Sequence, residues 1–212
     1  KGLIEAYDSP TAKEIPDKYK DPKHYWTGVY VGVLGFCSNQ KVLQEKGLEV
    51  PQSWDDLLKP ELKGQVSTAH PSTSGTAFTT LWTQVVLRGS EDAGLDYMKK
   101  MHANVLQYTK SGTAPGQIAG RGEVAVGLVF SHDCVKYRDE GMKDLVVSFP
   151  KEGTGYEIGG VALVKNSKHS EAAKKYIDWA ISADAQNLGQ TVGSNQILTN
   201  PNAKTNDKMA KL

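Results

Sequence analysis

The sequence predicts an α/β protein on three observations: runs that are apolar on both faces, helical segments with apolar residues three and four apart, and alternation of the two along the chain. At 212 residues the chain is long enough for one large domain or two small lobes with a buried core. Two of the apolar runs, 29–37 and 158–164, bracket a stretch of domain size. The middle of the chain is therefore expected to be a lobe inserted between two crossing strands.

Composition narrows the function classes. Hydrophobic residues at 39% and charged residues at 23% are the proportions of a folded globular chain, which excludes disorder and collagen-like repeats. Lys and Arg number 25 against 24 Asp and Glu, and there is no basic block to track a phosphodiester backbone, so no nucleic-acid partner is expected. No apolar run reaches the roughly 20 residues that cross a bilayer. The opening KGLIEAYDSP is neither a signal peptide nor a natural start and reads as the interior of a longer protein.

Each element follows from its local chemistry. Residues 1–27 carry Ser9-Pro10, Ile15-Pro16 and Asp21-Pro22, each biasing the backbone to extended or turn conformations, and are expected to be irregular and solvent-facing. Residues 29–37 (VYVGVLGFC) suit a central strand covered on both sides and approached closely at its glycines. A short helix over 39–46 is closed by Gly47, and Ser53 with Asp56 makes a capping box ahead of Trp54 and Leu57. A strand at 65–69 and a loop at 70–75 lead to a helix over 76–87, with Ala77, Phe78, Leu81, Trp82, Val85 and Val86 as its inward face. Ser90 caps a helix to about Met101 that turns Leu95, Met98 and Met101 inward. Strands follow at 124–130, 145–149 and 158–164, then a helix over 170–181 with Ala173, Tyr176, Ile177 and Ala180 as its buried stripe. The polar tail 199–212 is expected to fray.

The candidate chemistry sits in loops. Pro71-Ser72-Thr73-Ser74-Gly75-Thr76 joins a strand to a helix start, where unpaired N–H groups and the positive end of the helix dipole suit an oxyanion and Gly75 permits close approach. The same residues also read as an ordinary N-cap. Gly-Lys-Ser/Thr is missing, so nucleotide hydrolysis is not supported. Ser111-Gly112-Thr113 is a second hydroxyl-bearing loop, or simply a flexible turn. Ser131-His132-Asp133 follows the strand 124–130 at its carboxyl end, where open α/β sheets bind ligands, and Glu157 opens the returning strand. His132 and Asp133 can serve sugar hydroxyls, a metal, or a base and its orienter, but no nucleophile elbow such as GxSxG accompanies them. Cys37 and Cys134 have no metal-ligand spacing and are either bridged or two buried thiols.

In order along the chain, Trp26-Thr27-Gly28, Pro51-Gln52-Ser53-Trp54-Asp55-Asp56-Leu57, Pro71 to Ala77, Gly122-Glu123-Val124-Ala125-Val126-Gly127, Pro150-Lys151-Glu152-Gly153-Thr154 and Ala172 to Ile177 resemble the extracellular solute-binding proteins of ABC importers. The nearest branch holds the ferric-iron-binding and hexose-phosphate-binding periplasmic proteins. The resemblance implies a two-lobed periplasmic-binding-protein fold with two crossing hinge strands and an incomplete N-terminal lobe. It divides the chain into 1–38, the end of the first lobe and the first crossing; 39–155, the second lobe; and 156–212, the return strand and the rest of the first lobe.

Where the iron branch carries adjacent tyrosines, this sequence carries His132 and Asp133, a poor set for hard Fe(III). The resemblance to hexose-phosphate binders implies phosphate on Thr73, Ser74, Gly75, Thr76, Ser111 and Thr113, and sugar hydroxyls on His132, Asp133 and Glu157. It further implies a monomeric, non-catalytic periplasmic carrier with no cofactor, a sugar phosphate as its small-molecule ligand and a membrane permease as partner. The extracytoplasmic compartment favours a Cys37–Cys134 bridge. Binding of ferric iron or a phosphonate-like anion, and a hydrolase or transferase using His132 and Asp133, are the alternative expectations.

Overall fold

The computed structural model describes residues 2–205 and 207–210, without the side chain of Ala210. Its strands and α-helices are β1 (Ile4–Glu5), β2 (Thr27–Asn39), α1 (Gln40–Glu45), β3 (Val66–Ala69), α2 (Gly75–Arg88), α3 (Glu91–His102), β4 (Val105–Thr109), α4 (Ala114–Gly120) and β5 (Val126–Phe130). Then follow α5 (Ser131–Asp139), β6 (Leu145–Ser148), β7 (Tyr156–Val161), β8 (Leu163–Val164), α6 (Ser170–Ala180), α7 (Ala183–Thr191), β9 (Ile197–Leu198) and α8 (Asp207–Ala210). They form two units, Val33–Tyr156 and the flanking segments Lys1–Gly32 with Glu157–Leu212.

The Val33–Tyr156 unit is a mixed sheet in the order β4-β3-β5-β2-β6. Helical crossovers make β3 parallel to both β4 and β5, whereas β2 runs antiparallel to β5 and β6, with Cys37 opposite Gly127 and Phe36 opposite Ser148. Both sheet faces are covered, which is why 29–37 is apolar throughout. On one face Phe36, Val66, Val126 and Leu128 pack with Trp54, Leu57, Tyr97 and Met101. Trp54 stands edge-on to Phe36, donates from Nε1 to the Gly153 carbonyl at 3.0 Å, and its own carbonyl accepts from the Tyr97 hydroxyl at 2.5 Å. On the other face Cys37 and Val129 meet Ile118 and Ala119 of α4 and Cys134 and Tyr137 of α5. A side chain at Gly127 would strike the Pro115 carbonyl, so α4 lies directly on the sheet.

Three local readings are corrected in this unit. The Ser53 segment forms a 3₁₀ helix, Trp54–Leu58, in which Ser53 Oγ accepts from Asp55 N and Asp56 accepts from Gln52 N, in place of an α-helical capping box. Helix α2 turns small and polar residues inward: Ala77, Thr80, Thr83 and Gln84 are buried, while Phe78, Trp82 and Val86 are 55%, 57% and 63% exposed. Close backbone packing explains the inversion. A side chain at Gly94 of α3 would lie 2.7 Å from the Val85 backbone, and the Thr80 and Thr83 hydroxyls are satisfied by the carbonyls of Thr76 and Thr79. In α3 the same proximity buries Gly94, Tyr97 and Met101 and leaves Leu95 exposed.

In the other unit residues 1–27 contribute more than an exposed approach. β1 pairs antiparallel with β8, and Ala12 and Ile15 are buried with Ile181. Helix α6 buries Ile177 alone, while Tyr176 is 59% exposed beside Trp179. The tail does not fray at its start. Thr199 and Asn200 are buried, their N–H groups donate to Gln186 Oε1, and the Thr199 hydroxyl donates to the Gly28 carbonyl at 2.8 Å. Residues 206, 211 and 212 of that tail lie outside the described residues.

Candidate functional site

Parallel β3, β4 and β5 end at one edge of their sheet, and each leads into a chemistry-bearing segment. After β3 the chain folds back on His70, whose carbonyl accepts from Thr73 N and Ser74 N at 3.0 and 3.1 Å and from the Thr73 hydroxyl at 3.2 Å. His70 Nδ1 also accepts from Ser72 N at 3.2 Å. Ser74 caps α2 by accepting from Ala77 N at 3.4 Å. The N–H groups of Gly75 and Thr76, in the first turn, have no intrahelical acceptor and lie at the positive end of the dipole. The N-cap of α2 and the candidate anion-binding loop are one segment.

After β4, the Ser111 and Thr113 hydroxyls lie 3.0 Å apart, and Thr113 N donates to Ser111 Oγ at 3.4 Å. The two loops touch. The Thr73 hydroxyl is 3.2 Å from the Lys110 carbonyl, and Gly112 faces the hydroxyls of Ser74 and Thr76.

After β5 there is no loop: Phe130 is the extended N-cap of α5, and Ser131, His132 and Asp133 form its first turn. Tyr137, one turn further on, donates from its hydroxyl to the Thr113 carbonyl at 3.1 Å, with its ring against Gly116. That bond ties α5 to the second loop. Asp133 is an acid in the first turn of a helix, a stabilising place for negative charge.

His132 stacks on Phe130 at 5.7 Å between centroids, its side chain 12% exposed. Burial lowers its pKa from 6.5 to about 4, so the ring is neutral at pH 7, and its 3.8 Å approach to Asp133 is then a dipolar contact and not an ion pair. A depressed imidazole pKa means that the unfolded chain takes up the proton first as pH falls. The stability owed to neutral His132 is thus complete above about pH 6.5 and declines through the window down to about pH 4, by about 3 kcal/mol in total. His132→Asn is expected to flatten that part of the stability profile in urea titrations at stepped pH. An unchanged slope in the variant would assign the acid sensitivity to other groups.

Glu157 belongs to the other unit, on β7, where burial raises its carboxyl pKa. Eight predicted residues (Thr73, Ser74, Gly75, Thr76, Ser111, Thr113, His132 and Asp133) thus belong to one unit and Glu157 to the other. Sequence reasoning missed His70, Gly112 and Tyr137, which hold the loops in place. A glycine between two hydroxyl residues was the only visible signal among them.

Residues 1–208 match the family described as bacterial extracellular solute-binding protein. The chain belongs to that family. This solute-binding protein is 43% identical over 210 residues to an uncharacterized protein of Haemophilus influenzae, with 96% of the chain and 60% of that protein covered. Among solved structures it is similar to the periplasmic binding protein AfuA from Actinobacillus pleuropneumoniae, solved with exogenous fructose-6-phosphate bound. The identity is 42%, the TM-score 0.91, and the match covers 97% of this chain and 66% of that one. The Fe(3+)-binding periplasmic protein of Serratia marcescens is 24% identical, over 99% of the chain and 62% of that protein. The chain therefore spans about two-thirds or less of the length of these relatives. The neighbouring structures have the type 2, two-lobed periplasmic-binding-protein fold, which is the fold of this solute-binding protein.

Proposed function

We propose that this solute-binding protein captures a phosphorylated sugar in the periplasm and delivers it to an ABC permease, as a monomeric, non-catalytic carrier. The phosphate rests on Thr73, Ser74, Gly75 and Thr76 with Ser111 and Thr113 beside them, and His132 and Asp133 take sugar hydroxyls. The observation that carries this reading is the contact between two hydroxyl-bearing loops at the end of parallel strands, next to a helix that presents a His and a carboxylate. A tetrahedral dianion suits converging N–H and O–H donors, whereas neutral imidazole and carboxylate suit hydroxyls. The fructose-6-phosphate bound to AfuA, at 42% identity, supports the same class of ligand.

Titration calorimetry in chelator-treated buffer tests the reading. Fructose-6-phosphate is expected to bind at micromolar levels or tighter. Asp133→Ala should weaken it by about 2 kcal/mol or more through loss of charge-assisted bonds to hydroxyls, and should leave inorganic phosphate unaffected. If sugar phosphates give no heat while Fe(III), 2-aminoethylphosphonate or an unphosphorylated sugar binds, the assignment is replaced by that ligand class.

A further inference from the structure

We propose that Gly112 is the positioning residue that lets the two hydroxyl loops close on one oxyanion, an inference that rests on the phosphate reading above. A methyl group at Gly112 would lie 2.4 Å from Thr76 Oγ1, 2.7 Å from Ser74 Oγ and 2.8 Å from Thr76 Cβ. All three distances are far inside van der Waals contact, and the nearest two atoms are hydroxyl oxygens of the cradle. Gly112 does not have a positive φ, so its backbone makes no demand that an alanine could not meet. Its neighbours also separate it from the glycines that serve packing: Gly116 is filled by the Tyr137 ring and Gly127 by the Pro115 backbone, both in the body of the unit. What the missing side chain preserves at position 112 is the distance between Ser111 and Thr113 on one side and Ser74 and Thr76 on the other.

That distance matters because hydrogen bonds to an oxyanion are short, about 2.7 to 2.9 Å, and weaken steeply when stretched. The two hydroxyls could turn aside about χ1, which would itself take them off the anion, but Thr76 Cβ at 2.8 Å cannot, and its relief requires a shift of about 0.6 Å or more of one loop against the other. Gly112 touches no ligand in this scheme. It acts through Ser74 and Thr76, and its substitution should change anion affinity without changing the fold.

Calorimetry with inorganic phosphate on the wild type, Gly112→Ala, Thr76→Ala and the double variant separates the cases, with far-UV circular dichroism and melting temperature measured on each. Gly112→Ala is expected to weaken phosphate at least about 100-fold with the dichroism unchanged, and Thr76→Ala about 10-fold. In the double variant Thr76 Oγ1 is gone while Thr76 Cβ and Ser74 Oγ still crowd the new methyl group, so relief is partial and the combined loss should fall short of the product of the two. Equal phosphate affinity in Gly112→Ala and wild type, or strictly multiplicative losses, would overturn the positioning role while leaving the phosphate reading intact. Loss of the dichroism in Gly112→Ala would overturn it too, since the glycine would then serve the fold. A wild-type protein that binds no phosphate sinks the phosphate reading and this inference together.

Discussion

Thr76→Asp is expected to abolish sugar-phosphate binding, with a loss of at least about a thousand-fold. Thr76 is the second residue of α2, and its hydroxyl faces Gly112 in the second loop, so a carboxylate there stands where the phosphate oxygens are proposed to rest. Two like charges about 4 Å apart at an effective dielectric near 20 repel by about 4 kcal/mol, which is close to three decades in affinity. Stability should move the other way. An acid in the first turn favours the helix dipole, and the wild-type α2 has no acidic residue there. Calorimetry and a thermal melt on the same sample therefore give opposite signs. Binding retained within about tenfold of wild type would remove Thr76 from the site.

Removal of the Cys37–Cys134 bridge is expected to lower the unfolding free energy by about 4 kcal/mol. The two cysteines are bonded, buried, and separated by 97 residues, a loop for which chain-entropy estimates give about 4 to 5 kcal/mol. Cys37→Ala/Cys134→Ala should shift the urea midpoint down, with a steeper slope because the uncrosslinked unfolded chain exposes more surface, and make the protein indifferent to reductant. A midpoint equal to that of the oxidised wild type would show that the bridge adds nothing to the contacts around it. Because Cys134 sits in α5 beside His132 and Asp133, and Cys37 in the central strand, the bridge also fixes that helix to the sheet.

The positions of strands and helices were legible wherever a residue's chemistry is local. Ser74 and Ser90 cap helices as read, because a side-chain oxygen next to a free N–H needs no information from elsewhere in the chain. Residues 29–37 were legible as a central strand because burial on two faces leaves no room for polar alternation. The facing of helices was less so. Phe78, Trp82 and Val86 read as core by hydropathy but face outward, while Ala77, Thr80, Thr83 and Gln84 are buried and the bare Cα of Gly94 sets α3 against the Val85 backbone, a fact held by another element.

Of the helices that went unread, α5 and α7 show why. α7 buries only Gln186 and so has no apolar period, and α5 starts directly on the last strand residue with no loop to announce it. Cys134, four residues beyond the predicted strand 124–130, accordingly lies in a helix. At the site, hydroxyls and the His-Asp pair were visible as residue types. Their supports were not: the His70 carbonyl acts through the main-chain turn it accepts from, which leaves no mark in residue type, and the Tyr137 hydroxyl and the bare Cα of Gly112 act on segments distant in sequence.

Parallel strands with a common end have a consequence for how such a chain changes over generations. The side chains that hold the Val33–Tyr156 unit together, such as Phe36, Trp54, Val66, Leu128 and Val129, lie in the body of the sheet and under its helices. Those proposed to meet the ligand sit where the strands stop and are for the most part solvent-accessible. Substitutions at Thr73, Ser111 or Thr113 can then sample new specificities with little effect on foldedness, since exposed positions away from caps and cores shift stability by only about 0.5 kcal/mol. His132, which is largely buried, and Ser74, which also caps a helix, are the exceptions, and diversification of the ligand should proceed more slowly through them than through the outer hydroxyls.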